Sequence, residues 1–216
     1  CEAMTASQDN QSATTADSPH RQESAPTPAG NPLLDVAYIA VFAALIIALA
    51  FVAIPVGAAG VPIVLQNAAV ILAGLILGRT RGFLTALLFL GLGLIGLPVL
   101  AGGKTTLAAL GGPTIGYLVG YLVSATVAGS IAYLAPRGNR KALTIYLALG
   151  AIAALACQYL CGSVGMMFRA DMSFGQALAV NVPFLIPDLV KAACVVAIAS
   201  GVHLSLPDIR RKAFLK

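Results

Sequence analysis

"PFLIPDLVKAACVVAIASGVHLS", residues 183–205, contains one acid, Asp188, and one base, Lys191, in an otherwise almost wholly apolar run. A bilayer core about 30 Å thick takes roughly 20 helical residues, so this stretch has the length of a membrane-spanning helix. A charge held at depth in such a helix is costly and marks a functional site by default. The rest of the chain agrees with a membrane setting. Hydrophobic residues make up 59% and charged residues only 10% of the 216, against about 25% charged in ordinary soluble proteins. The net charge of +5 is dispersed in ones and twos between apolar runs. Basic residues placed this way read as topology signals rather than as a nucleic-acid patch.

Six segments of suitable length can be drawn, at about 34–54, 63–78, 82–98, 113–135, 142–164 and 183–205. The fold class expected is therefore an all-α integral membrane protein, a compact bundle of six transmembrane helices. With the N-terminus cytoplasmic, the inner segments hold Arg79 and Arg81, then Arg137, Arg140 and Lys141, then Arg210, Arg211, Lys212 and Lys216. The outer loops hold only Lys104 and Arg169. That asymmetry satisfies the positive-inside rule with both termini cytoplasmic. Residues 1–32 are rich in Ser, Thr, Ala, Gln and Pro without an apolar period, which predicts a disordered tail ahead of a membrane domain at 33–216.

On this topology the buried polar groups gather in the outer half: Gln66 and Asn67, Tyr117, Gln158, Tyr159 and Ser163, then Asn181, Asp188 and Lys191. The inner half is almost entirely Leu, Ile, Val, Ala and Gly. The pattern predicts a polar pocket open to the outside over a closed floor, without the continuous polar path of a channel. The i, i+3 spacing of Asp188 and Lys191 sets them on one helical face. They serve either as an ion pair that packs the last helix or as a ligand clamp, the carboxylate accepting N–H bonds and the ammonium donating. Pro183 and Pro187 fit an irregular start to that helix.

Other motifs carry less chemistry. Gly103-Lys104-Thr105-Thr106 has the ending of a phosphate loop, but the glycine required five residues before Gly103 is Pro98, which has no N–H to offer. Gly91-x-Gly93-x-x-Gly96 lies in an apolar segment without a preceding strand, so close helix packing is its better use. Cys157, Cys161 and Cys194 lack metal-ligand spacing and read as small packing residues. His20 and His203 fall in the tail and near the inner end of the last helix, which leaves no pocket histidine for a base or a metal. Neither a serine nucleophile elbow nor paired catalytic carboxylates are present, so an enzyme is not expected. Ala40, Ala44 and Ala48 recur every four residues in the first helix. Such a smooth stripe suits close approach of another helix, from a partner or from the same chain.

Four motifs in this order, "VPIVLQ" at 61–66, "GLPVLAGG" at 96–103, "GGPTIGYLVGY" at 111–121 and "PDLVKA" at 187–192, resemble the BioY family, the biotin-specific substrate-binding (S) components of energy-coupling factor transporters. The resemblance runs from about residue 36 to 205. It implies a six-helix membrane fold of the prokaryotic plasma membrane that binds biotin from outside. It further implies a module of one transmembrane coupling subunit and two cytoplasmic ATPases as partners, so that ATP is used only by them and no cofactor resides in this chain. Ala40, Ala44 and Ala48 match the family's stripe against the coupling subunit, and Asp188 with Lys191 matches its ligand-binding pair. Tyr117 is assigned to the apolar wall, and Gln66, Asn67 and Thr114 join the substrate-binding set. Lys104 would meet the biotin carboxylate or stand as a surface lysine, and the 101–112 loop would act as a lid. The motif departs from the family pattern at Ile115, where a second glycine is expected, and at Lys104-Thr105-Thr106. Alternatives are an S component for another vitamin, a proton-coupled secondary transporter with Asp188 as the titrating group, and a structural membrane protein without a ligand.

Overall fold

The computed structural model describes residues 32–54, 63–136, 138–206 and 209. The 1–31 part of the expected tail, Arg137 and the basic residues from 210 onward lie outside the described residues. Eight helices are present among them: α1 (Pro32–Ala50), α2 (Gln66–Leu77), α3 (Arg79–Leu94), α4 (Thr106–Leu110), α5 (Ile115–Ala132), α6 (Arg140–Ala170), α7 (Phe174–Ala179) and α8 (Val182–Ser205). A two-residue antiparallel ladder, β1 (Ala53–Ile54) with β2 (Ile63–Val64), pairs Ala53 with Val64. Four helices, α1, α5, α6 and α8, are long and apolar enough to cross a membrane. The fold is therefore an all-helical membrane bundle, as the composition predicts.

α2 is the axis of the bundle. Eleven of its twelve residues are buried and only Asn67 is half-exposed. A helix that is apolar all round can satisfy every face only inside other helices, which is how a helix too short to span the bilayer alone is accommodated. One core joins α2 to α5, α6 and α8 through Leu75, Ala128, Leu147, Ala151 and Ala199, and another joins it to α1, α3 and α5 through Ile46, Val70, Phe89 and Ala125. Many of these contacts use alanine or glycine, and small residues are what let helices approach closely in lipid.

Long helices that follow one another along the chain run in opposite directions, so contacts sort into two ends. At one end Arg81 Nη2 meets Asp35 Oδ1 at 2.6 Å, the Tyr133 hydroxyl donates to Ile76 O at 2.8 Å, and His203 Nε2 lies 2.9 Å from Leu75 O. At the other lie the 95–112 segment, α7 and the start of α8, with Arg169 Nη2 donating to Leu110 O at 3.2 Å.

Three expectations change. Arg81, read as a topology charge in a turn, is buried: it lies in the first turn of α3 on the side that faces α1, where the Asp35 carboxylate offsets its charge. The glycine triplet at 91–96 does not act as one packing face. Gly93 touches Thr106 and Val99, Gly91 faces open space, and Gly96 takes a φ of +105° that ends the helix. The 142–164 span runs from 140 to 170, and the loops on the site side contain α4, capped by Thr105, and α7, capped reciprocally by Ser173 and Gln176. Caps of this kind satisfy the orphan N–H groups of short helices.

Candidate substrate-binding site

Asp188 and Lys191 are one turn apart on α8, and the Lys191 Nζ to Asp188 Oδ1 distance is 2.5 Å. Pro187 precedes them within the helix, which runs on through it from Val182 rather than starting irregularly. Proline has no N–H, so the backbone bond it would have made there is missing, and the polar groups of neighbouring helices converge on this turn. Asn67, at the start of α2, donates from Nδ2 to Asp188 Oδ1 at 3.2 Å and accepts from Lys191 Nζ at 2.9 Å. The Tyr159 hydroxyl of α6 donates to Asp188 Oδ2 at 2.6 Å. Lys191 also donates to Val64 O at 2.8 Å. The carboxylate thus faces an ammonium, an amide and a phenol drawn from three helices.

A second set of polar groups adjoins this one. Tyr117 of α5 donates to Asn181 Oδ1 at 2.5 Å, and the Asn181 amide donates to Ser163 Oγ at 3.1 Å and Ala177 O at 3.2 Å. Gly162 of α6 lies directly against the Tyr117 ring, so a Cβ there would overlap it and move the hydroxyl from Asn181. Gln158 Nε2 donates to Ser124 Oγ at 3.0 Å and to Asn67 O at 3.4 Å. It thereby fixes the turn that carries Asn67. Buried polar groups are tolerable when each has such partners.

The structure brings together Asp188, Lys191 and Asn67, with Tyr117 one bonded neighbour away through Asn181. Gln66 is placed differently from the expectation. It is fully buried, and its amide donates to Val99 O at 2.7 Å, so it holds the 95–104 segment onto α2 instead of facing Asp188. The reason is helical geometry: adjacent residues point about 100° apart, and Asn67 has the side toward α8. Thr114 and Lys104 are both exposed. Thr114 is the N-cap residue of α5 without a side-chain capping bond, and Lys104 pairs by backbone with Leu100. Ala40, Ala44 and Ala48 are exposed along α1, which leaves their stripe unused by the chain's own helices. Cys157 and Cys161 are half-buried, whereas Cys194 is exposed, so packing within the chain does not account for the last. Tyr159 and Asn181 are the residues that the substrate-binding set lacked. Their signal was present in the sequence as polar groups in the same half of apolar helices.

A family model described as the BioY family matches residues 20–208. The biotin transporter BioY of Rhodobacter capsulatus is 42% identical over 168 residues, covering 73% of this chain and 86% of that protein. The biotin transporter BioY of Rhizobium etli is 33% identical over 187 residues, covering 83% of this chain and 98% of that one. The crystal structure of an S-component for biotin from an ECF-type ABC transporter superposes with a TM-score of 0.69 at 30% identity, covering 80% of this chain and 92% of the other. With a family match over most of its length and relatives this similar over nearly their whole length, the chain belongs to the BioY family.

Proposed function

We propose that this chain captures biotin at the outer face of a prokaryotic plasma membrane and passes it inward with an ATP-driven coupling module, as the S component of an energy-coupling factor transporter. The observation that carries this reading is the cluster of buried Asp188 with half-buried Lys191, Asn67 and Tyr159 at one end of an apolar bundle in a chain related to proteins named biotin transporters. A ureido ring offers two N–H donors and one carbonyl acceptor. Asp188 accepts the donors, while the Lys191 ammonium and the Asn67 amide donate to the carbonyl. Tyr117 and Tyr159 give an aromatic wall for the thiophane ring, in keeping with the mixture of apolar lining and few convergent polar groups usual in ligand pockets. Thr114 and the exposed Lys104 complete the proposed set, the lysine meeting the biotin carboxylate. Gln66 acts indirectly, by holding the 95–104 segment.

The task is movement rather than covalent change, so the chain works without a resident cofactor and is not an enzyme; ATP is consumed by two partner ATPases. Six membrane passes with both termini cytoplasmic put Arg140 and Lys141 inside and the cluster outside, in line with the positive-inside rule. The exposed Ala40, Ala44 and Ala48 stripe is the face for the coupling subunit. Ala44→Leu should abolish co-purification with that subunit and leave biotin binding unchanged; loss of both would assign the stripe to folding.

Isothermal titration of the detergent-purified chain with biotin, riboflavin and thiamine tests the substrate. Tight one-to-one binding of biotin alone is expected. Binding of another vitamin in its place would overturn the substrate, and uptake that survives ATP depletion but collapses with an uncoupler would overturn the coupling.

A further inference from the structure

On the flank formed by α5 and α6 lies an open groove of about 460 Å³, away from the Asp188 cluster. Its floor is made by Gly116 and Gly165, which meet backbone to backbone. A Cβ on Gly165 would stand 2.6 Å from the Gly116 Cα, so the helices touch here only because both side chains are missing. Leu160, Val164 and Phe168 form one wall at four-residue spacing along α6, and Val119 of α5 forms the other. These four are 43% to 79% exposed. The one charged residue of the lining is Arg169, at the end of the Leu160, Val164, Phe168 stripe. Its guanidinium donates to Leu110 O, which holds it at the groove mouth, and no carboxylate among the described residues forms a salt bridge with it.

The dimensions of α6 give the groove its setting. Thirty-one residues make a helix about 46 Å long, longer than the ~30 Å hydrocarbon core. With Arg140 and Lys141 at one interface, Arg169 reaches the headgroup level at the other, while Leu160 and Val164 remain in the acyl region. We infer that the groove between α5 and α6 is a binding site for one anionic phospholipid, with an acyl chain against the Gly116–Gly165 floor and the phosphate on Arg169. A glycerophospholipid has the required combination of a long apolar chain and a negative group at its end. Biotin fits less well, because Asp188, Asn67 and Lys191 do not line this space. A coupling-subunit helix also fits less well, since the alanine stripe is on α1, which packs on α2 and α3 rather than on α5 and α6.

Native mass spectrometry of the full chain, titrated with phosphatidylglycerol and with phosphatidylcholine of the same acyl chains, tests this inference. One phosphatidylglycerol should be retained about five-fold more tightly than phosphatidylcholine, the ratio one basic residue contributes near an anionic bilayer surface. Arg169→Gln, on the exposed surface, should lower phosphatidylglycerol to the phosphatidylcholine level. Val164→Trp, which fills the groove, should weaken both lipids while biotin binding persists. Equal retention of the two lipids by the parent, or an unchanged preference in Arg169→Gln, would overturn the assignment. Displacement of the lipid by saturating biotin would overturn it too, by making the groove part of the vitamin site. So would its loss on assembly with the coupling subunit, which would give the groove to a partner helix.

Discussion

Among the described residues two carboxylate–cation pairs are largely withdrawn into the bundle, one toward each end. At the site end, the side chains of Lys191 and Asp188 are 12% and 6% exposed, and the pair is enclosed by Asn67, Tyr159 and the Val64 carbonyl. At the opposite end, those of Arg81 and Asp35 are 2% and 3% exposed, with the Tyr38 ring 5.9 Å from the guanidinium and no hydrogen-bond partner for Asp35 Oδ2 among the described residues. The site pair has neutral donors and acceptors that can be exchanged for those of a ligand. The other joins α1 to α3 in a buried contact, and so fixes the helix that displays the alanine stripe. A buried pair contributes little net stability once desolvation is counted, yet removing one member is severe because the survivor is left uncompensated.

That contrast can be broken in three places. The largest effect is expected from Asp35→Ala, which removes the carboxylate that meets the Arg81 guanidinium and should cost about 3–5 kcal/mol of stability, read as a lower melting temperature in detergent. The double variant Asp35→Leu with Arg81→Met should recover most of it; a parent-like melting temperature in Asp35→Ala would mean the pair clamps nothing. Next comes Asp188→Asn, which removes the charge that a ligand's N–H groups would meet. Affinity for biotin should fall roughly a hundred-fold, about 3 kcal/mol, with the melting temperature much less affected than in Asp35→Ala. Equal biotin affinity in calorimetry would remove Asp188 from the site. The smallest change is expected for Tyr159→Phe, which deletes one hydrogen bond to a charged group, worth about 1.5 kcal/mol or roughly ten-fold in affinity. An effect as large as that of Asp188→Asn would make the phenol a direct ligand contact rather than a support for the carboxylate.

The difference between the pairs also explains what was legible in the sequence. Asp188 and Lys191 are conspicuous because they interrupt a run that must cross lipid. Asp35 and Arg81 lie near the ends of their helices, where charges are ordinary, and 46 positions apart; only packing reveals that they meet. Helix existence was clear from hydropathy, but α6 continues past its apolar stretch through Arg169, and hydropathy does not report that extension. Gln66 and Asn67 looked equivalent by depth. One residue of helical rotation separates a tether to Val99 from an amide that meets Asp188. The short helices α4 and α7 have Thr and Ser caps in the sequence, but runs of five and six residues are too short to show a helical period.

Lys191 brings one more consequence. An ammonium has three N–H bonds, and here their acceptors are Val64 O, Asn67 Oδ1 and Asp188 Oδ1. On the proposed reading, a ligand carbonyl therefore finds no idle donor on this nitrogen and has to take the place of a resident acceptor. Capture then proceeds by partner exchange, with a transient in which one bond is already open. Such a step slows association below the rate of collision, and the same step retraced slows escape, so the pocket trades speed of loading for length of stay.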